Sequence, residues 1–170
     1  AETASNGTVK LTFTRTGGTA DAGSPHVLVI VSEASGNHAF TLDGTNLAGG
    51  TAEVESVESG GTALVDGTVY DVKIEYQDAV GNTAASATNT GFTYDVTAPS
   101  ITSTAPAQDA TVNNTNVSYT LSEAIASGTI TFTRTGGTAD GGSPHAQALD
   151  GAELNSGTQT DITLANDPTL

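Results

Sequence analysis

Apolar and polar residues alternate along several short stretches of the chain. Residues 9–13, 70–76, 92–94 and 117–121 each place an apolar side chain at every second position. Successive side chains of a β-strand point to opposite faces of the sheet, so a period of two is typical of a strand with one buried face. The four stretches therefore predict half-buried strands of antiparallel sheets.

The segments between these stretches are rich in Gly, Asn, Asp and Pro. These residues tolerate the backbone geometry of tight turns. No segment has the apolar spacing of a convincing amphipathic helix. Short strands at regular spacing, enough for two sheets in roughly 100 residues, favour a Greek-key sandwich. We predict an all-β fold.

A phrase of twelve residues occurs twice in the chain. It covers residues 15–26 and 134–145, differs only where Ala22 is replaced by Gly141, and recurs after 119 residues (134 − 15). The flanking sequence repeats as well, and residues 9–14 are echoed by residues 129–133. A period near the size of one small domain indicates a tandem array.

Alignment of the two copies predicts that both units are incomplete. Glu2 precedes the repeated strand as Glu123 does, so the residues before Glu123 have no counterpart ahead of Ala1. At the other end, residues 168–170 match residues 62–64, after which the first copy continues into further alternating sequence. The first unit should therefore lack its opening strands, and the second should lack its closing strands.

One length difference separates the two copies. Leu42 follows His26 by sixteen positions (42 − 26), whereas Leu149 follows His145 by four (149 − 145). The extra sequence contains an apolar run and a Ser-Gly-Asn turn signal. We expect an inserted hairpin at about residues 27–40 of the first unit.

Two short motifs resemble those of a known family. Residues 78–82, Asp-Ala-Val-Gly-Asn, look like the D-A-x-G-N turn between the last two strands of bacterial immunoglobulin-like repeats. Residues 95–99, Asp-Val-Thr-Ala-Pro, look like the D-x-T-A-P linker that joins one such repeat to the next. The chain thus resembles the bacterial immunoglobulin-like (Big or cadherin-like) tandem repeats of large secreted adhesins and extracellular fibres. The linker divides it into residues 1–97 and residues 98–170.

The resemblance implies a fold, a location and a role. Each unit would be an immunoglobulin-like Greek-key β-sandwich, with strands C to G in the first unit and strands A to E in the second. The protein would be secreted, extracellular or attached to the cell surface. Its role would be that of a structural segment of a fibre, filament or adhesin stalk.

The composition limits the partners of the protein. Nineteen Asp and Glu residues outnumber four Lys and Arg residues, which gives a formal net charge of −15. Nucleic acid and anionic membrane are excluded as expected partners, because like charges repel and no basic patch exists. There is no cysteine, so no disulfide framework is expected. No apolar run reaches the ~18 residues that a membrane span needs.

The acidic residues suggest calcium at the domain junctions. On the immunoglobulin-like fold, Glu2, Asp78 and Asn82 should lie together at the end where the chain enters, and Asp95 should face Glu123 of the following unit. Ca²⁺ accepts several oxygen ligands in irregular geometry, so turn and linker oxygens could share it. The alternative is that Asp78 and Asn82 cap their own turn and Asp95 is a solvated linker residue. Both interpretations stay open.

The repeated phrase also contains candidate catalytic residues. His26 and His145 follow Asp21 and Asp140 by five positions, which could suggest a metal pair or part of a Ser-His-Asp arrangement. An imidazole satisfied within a hairpin turn is the ordinary explanation. No activated nucleophile with a base and an orienting partner is recognisable, so we do not expect an enzyme.

The arginine that begins each copy of the phrase has an ordinary explanation too. Arg15 and Arg134 lie at the end of an alternating strand. A salt bridge to Asp21 or Asp140 would satisfy the guanidinium group.

The sequence therefore favours a non-enzymatic structural repeat whose partners are neighbouring repeats or copies of the same protein. Strand complementation between copies could build a filament, and a strand added beside residues 117–121 would cover their apolar face. A glycan-binding module is an alternative, but it needs exposed aromatic rings, and the chain has no Trp and only eight Phe and Tyr residues. A spacer or decoration repeat of a phage or secreted enzyme is a further alternative.

Overall fold

A computed structural model of the protein describes residues 4–5, 7–31, 35–83 and 86–163. Its regular structure consists of ten β-strands and one turn of 3₁₀-helix at Gly151–Leu154. The strands pair antiparallel, so the predicted all-β class is confirmed. In the described part of the chain, no helix is long and apolar enough to cross a membrane. Contacts divide the chain into two compact units, Ala1–Thr97 and Ala98–Leu170.

The first unit forms one five-stranded antiparallel sheet in the order β3-β2-β1-β4-β5. The chain crosses over the sheet between β3 and β4, because β4 lies on the far side of β1 from β3. The strands predicted at residues 9–13, 70–76 and 92–94 are confirmed by β1, β4 and β5. The five strands are β1 (Lys10–Gly18), β2 (His26–Ile30), β3 (Val54–Ser59), β4 (Thr68–Glu75) and β5 (Ala87–Tyr94).

The hydrophobic core of the first unit lies on one face of this sheet. The alternation of β1 decides the face, since Leu11 and Phe13 are buried while the residues between them are not. Loop residues Leu47 and Leu64 complete the core. Ile74 and Phe92 lie on the same face, opposite core positions of neighbouring strands, and are 39% and 38% exposed. The core therefore covers the β1–β2 half of the face better than the β4–β5 half.

The segment expected as an inserted hairpin folds differently. Its beginning forms β2, but the described residues 35–53 are turns and loop, without a return strand before β3. The strand that pairs with β2 is β3. β2 ends at Ile30, and the next strand begins at Val54. The corresponding strand β9 (His145–Ala148) exists in the second unit, so β2 itself is not the insertion.

The second unit contains two smaller sheets among its described residues. A three-stranded sheet has the order β10-β7-β6, and a two-stranded sheet joins β8 to β9. The predicted strand at residues 117–121 is confirmed by β7. The strands are β6 (Ile101–Ala105), β7 (Val117–Leu121), β8 (Thr129–Phe132), β9 (His145–Ala148) and β10 (Gly157–Ile162).

The apolar face of β7 is covered without an added strand. Tyr119 is 5% exposed and Leu121 is 2% exposed. The Tyr119 hydroxyl donates to the Glu153 carbonyl at 2.8 Å, next to the 3₁₀-helix. Both edges of β7 are paired, with β6 on one side and β10 on the other. No further strand can therefore pair with residues 117–121, and complementation of a unit by another copy stays a prediction.

Candidate functional site

The repeated phrase forms the turn between β1 and β2 in the first unit. Arg15 crosses the turn, with its Nε donating to the Thr19 carbonyl at 2.8 Å and its Nη2 to the Gly18 carbonyl at 2.9 Å. The Ser24 hydroxyl accepts the Arg15 backbone N–H at 2.8 Å. These bonds close the ten-residue loop from Arg15 to Ser24 on itself, so its sequence is sufficient to explain its shape.

The copy between β8 and β9 makes the same three bonds. Arg134 donates to the carbonyls of Thr138 and Gly137, both at 2.8 Å, and its N–H bonds to the Ser143 hydroxyl at 2.8 Å. The expected salt bridge from this arginine to the aspartate of the phrase is not formed between the described residues of either copy. The planar guanidinium fits two adjacent carbonyls of the turn. The arginine therefore stabilises the turn and does not pair with the aspartate.

A buried cluster follows the turn in the first unit. His26 is fully buried, with Nδ1 2.8 Å from the Gly61 carbonyl and Nε2 2.6 Å from Asp21 Oδ2. A carbonyl oxygen only accepts hydrogen bonds, so Nδ1 is the donor to Gly61. The other ring nitrogen lies against the carboxylate of Asp21, whose side chain is 3% exposed.

Tyr70 completes this cluster from β4. Its hydroxyl donates to Asp21 Oδ2 at 2.6 Å and accepts the Val65 backbone N–H at 3.0 Å. Burial alone would raise the pKa of Asp21, but hydrogen bonds from Tyr70, His26 and the Gly23 N–H outweigh it and lower that pKa. Burial and the neighbouring Asp21 carboxylate raise the pKa of the Tyr70 hydroxyl.

The geometry of the cluster favours a structural role. Both nitrogens of His26 are engaged, which leaves neither available to bind a metal or to accept a proton from a nucleophile. Its full burial also keeps substrates away. The sequence predicted a satisfied imidazole at His26 but assigned Asp21 to Arg15, and it gave no sign of Tyr70, which lies 49 residues from Asp21.

The second unit contains the same pair in a more open setting. His145 is 4% exposed, and its Nε2 lies 2.8 Å from Asp140 Oδ2. The Asp140 side chain, however, is 39% exposed. Hydrogen bonds from His145 and from the Gly142 N–H lower the pKa of Asp140. In the described part of the chain, no tyrosine hydroxyl bonds to Asp140.

Two of the predicted calcium ligands lie in one turn. Asp78 Oδ1 accepts the N–H groups of Val80 at 3.0 Å and Asn82 at 2.8 Å, and its Oδ2 accepts the Asn82 side-chain amide at 2.7 Å. This is the geometry of a self-capped turn. Ala4 forms a β-bridge with Asp78, while Glu2 lies outside the described residues.

The other predicted ligands lie elsewhere. Asp95 follows β5 at the opposite end of the β4–β5 hairpin from Asp78, and its Oδ1 accepts the Thr97 N–H at 3.1 Å. Glu123 is half-buried, just beyond β7 of the second unit. Among the residues that the structure describes, no group of three or more His, Asp or Glu side chains converges as a metal would require. Calcium at the junctions stays a prediction.

Asp66, which the sequence did not single out, holds the start of the linker. Its Oδ1 accepts the Val96 N–H at 2.8 Å, and its Oδ2 accepts the Thr97 hydroxyl at 2.5 Å. These two bonds, the Thr97 bond first, lower the pKa of Asp66. Beyond the linker, Ser100 is tied to Ser122 by two hydrogen bonds, at 2.9 and 3.0 Å.

Comparison of the chain with protein-family models, curated proteins and solved structures finds no match.

Proposed function

We propose that the chain is a structural segment of an extracellular bacterial fibre, filament or adhesin stalk, built from tandem immunoglobulin-like repeats. The observation that carries the proposal is the repeated phrase, which forms the same hairpin turn in two compact units of one chain. Repetition of one small β-unit along a chain builds a long spacer from a single fold. The proposed role needs no catalytic centre.

The strand orders support immunoglobulin-like units. In that fold, one sheet has the neighbours G, F, C, C′ and C″, and the other contains A, B, E and D. The first unit has the order β5-β4-β1-β2, which matches G-F-C-C′, while β3, the counterpart of β10 by the match of Leu170 to Leu64, pairs with β2. The second unit has the order β6-β7-β10, which matches A-B-E. Each unit thus supplies strands that the other lacks among its described residues.

Tyr70 adds a second point of agreement. Many immunoglobulin-like domains have a tyrosine near the start of strand F whose hydroxyl bonds to backbone a few residues upstream. Tyr70 is the third residue of β4, and its hydroxyl accepts the N–H of Val65. The partial exposure of Ile74 and Phe92 is also what the F–G half of such a sheet would show without a second sheet over it.

The linker fits a stalk that transmits force. A stalk needs its junctions held, and Asp66 fastens residues 96–97 to the first unit. We include calcium in the proposal because acidic residues lie at both ends of the β4–β5 hairpin, Asp78 at one end and Asp95 at the other. An extracellular location provides the free Ca²⁺ that weak extracellular sites require.

Single-molecule stretching tests the proposed function. The offset between the two copies is 119 residues at the repeated phrase and falls to 106 residues (170 − 64) after the longer segment of the first unit, where Leu170 matches Leu64. Several copies of residues 65–170 joined in series should therefore form complete units. We expect evenly spaced unfolding events, each releasing roughly 350 Å of chain at 3.3–3.6 Å per residue. Extension without regularly spaced events would contradict a role as a load-bearing repeat.

A further inference from the structure

The two strands that begin the repeated turn have different neighbours. β1 pairs with β2 along one edge and with β4 along the other. β8, its counterpart in the second unit, pairs with β9 along the equivalent first edge. Among the described residues, no strand lies along the second edge of β8. The N–H and C=O groups of that edge are a template for another strand.

The carboxylate beside this edge differs in the same way. Asp21 is 3% exposed because Tyr70, carried by β4, covers it and donates to its Oδ2. Asp140 keeps the histidine and the turn N–H as partners but is 39% exposed. The open strand edge and the open carboxylate therefore lack one and the same element, a strand like β4.

We propose that the second edge of β8, together with Asp140, is a docking site for a β-strand that carries a tyrosine. The tyrosine hydroxyl donates to Asp140 Oδ2, as Tyr70 donates to Asp21 Oδ2 in the first unit. The occupant is an extended segment of the β4 type, Gly-Thr-x-Tyr followed by alternating apolar residues. This inference rests on the proposed function, since it identifies the partner of a repeat unit.

The first unit fixes the register of the docked strand. Arg15 lies opposite Tyr70, Phe13 opposite Val72, and Leu11 opposite Ile74. Adding the repeat distance of 119 residues transfers this pairing to the second unit. Arg134 lies opposite the incoming tyrosine, and the two apolar residues that follow the tyrosine lie opposite Phe132 and Ile130 in turn.

The chemistry of the edge supports this occupant. Main-chain bonds supply affinity in strand addition, and alternate side chains supply specificity. Ile130 and Phe132 are half-exposed on β8, so an apolar face like that of β4 would remove them from water. Asp140 is an acceptor for one hydroxyl, and a hydrogen bond to an ionised group is stronger than one between neutral groups.

The direct test uses the full chain and a synthetic peptide with the sequence of residues 65–97, the segment that contains β4 and β5. We expect saturable binding of one peptide per chain by calorimetry, with NMR shift changes at residues 129–134 and at the His145 ring. A peptide with Tyr70→Phe should bind at least about tenfold more weakly, because the hydrogen bond to the carboxylate is lost. Absence of binding, together with unchanged hydrogen exchange in the covalent version described below, would overturn the proposal.

Equivalent variants in the two units separate docking from exchange. In the Asp140→Asn chain, the preference of the site for tyrosine over phenylalanine should shrink, whereas in the Asp21→Asn chain it should persist. A peptide that displaced β4 and β5 from the first unit would instead perturb residues 10–18 and respond to Asp21→Asn. That pattern would overturn the proposal.

A covalent version of the experiment applies if the isolated peptide does not bind because it fails to fold. A second copy of residues 65–97 is appended after Leu170, where the match of residues 168–170 to residues 62–64 preserves the spacing. Hydrogen exchange of the residues 129–134 amides should slow at least about tenfold, and phenylalanine at the appended tyrosine should reverse part of the effect. Unchanged exchange overturns the docking site. Irregular stretching together with slowed exchange would contradict the stalk and leave the docking site standing.

Discussion

The turn at residues 15–26 lies in a five-stranded sheet, while its copy at residues 134–145 lies in a two-stranded sheet. Every hydrogen bond made within the phrase is the same in both, from the arginine to two carbonyls and from the histidine to the aspartate. What differs comes from outside the phrase, above all the Tyr70 hydroxyl on Asp21. The phrase therefore specifies its own turn, whereas burial of its ion pair depends on a distant strand.

The largest expected effect comes from removing the aspartate in each unit. Asp21→Ala leaves the buried His26 Nε2 and the Tyr70 hydroxyl without their partner, and loss of one member of a buried pair costs about 3–5 kcal/mol in the free energy of unfolding. Asp140→Ala should cost much less, because that carboxylate is partly solvated. Urea unfolding followed by the NMR signals of His26 and His145 measures the two units separately. Equal losses would remove the distinction between the copies.

Removal of the tyrosine hydroxyl should have the next largest effect. Tyr70→Phe keeps the ring in the core but deletes its bond to Asp21, and hydrogen bonds to charged groups contribute about 1.5–3 kcal/mol. Tyr76→Phe is the matched control, because Tyr76 is 39% exposed. The urea midpoint of the first unit should fall for Tyr70→Phe alone. A similar midpoint for both variants would show that the hydroxyl contributes nothing.

Calcium should act on the junctions and not on the repeated turn. If a chain with two complete repeats binds Ca²⁺ only when folded, a tenfold excess over the dissociation constant adds about 1.4 kcal/mol to stability. Asp95→Ala should remove the gain, and Asp161→Ala, a substitution away from the predicted ligands, should keep it. Thermal unfolding in millimolar Ca²⁺ and in chelator gives the comparison. Identical melting temperatures would leave only the capping role of Asp78.

The smallest expected effect is on the stability of the first unit at acidic pH. The folded pKa of Asp21 lies below its ordinary value of 3.8, so its contribution to stability is complete above that value and is lost as pH falls through the folded pKa. Tyr70→Phe removes one of the bonds that lower this pKa, so the loss should begin at higher pH in the variant. Urea midpoints between about pH 2 and pH 6 measure it. Parallel pH profiles would show that the hydroxyl does not affect the titration of Asp21.

The sequence predicts the strands well where one face is buried. The alternation at residues 9–13 and 117–121 is confirmed by β1 and β7, because burial of every second side chain is a local pattern. The partner of Arg15 is predicted wrongly. Opposite charge favours an aspartate, whereas the guanidinium donates to two carbonyls of its own turn. The role of Asp66 could not be predicted, because its partners at residues 96–97 are brought close only by the pairing of β4 with β5.

The anchoring of the linker on both sides sets the length of its free pivot. Asp66 immobilises the chain up to Thr97, and the bonds to Ser122 immobilise it again from Ser100. Only Ala98 and Pro99 remain to swivel, and the ring of a proline fixes one of its two backbone torsions. The linker is thus anchored at both ends, and its unanchored part is two residues long.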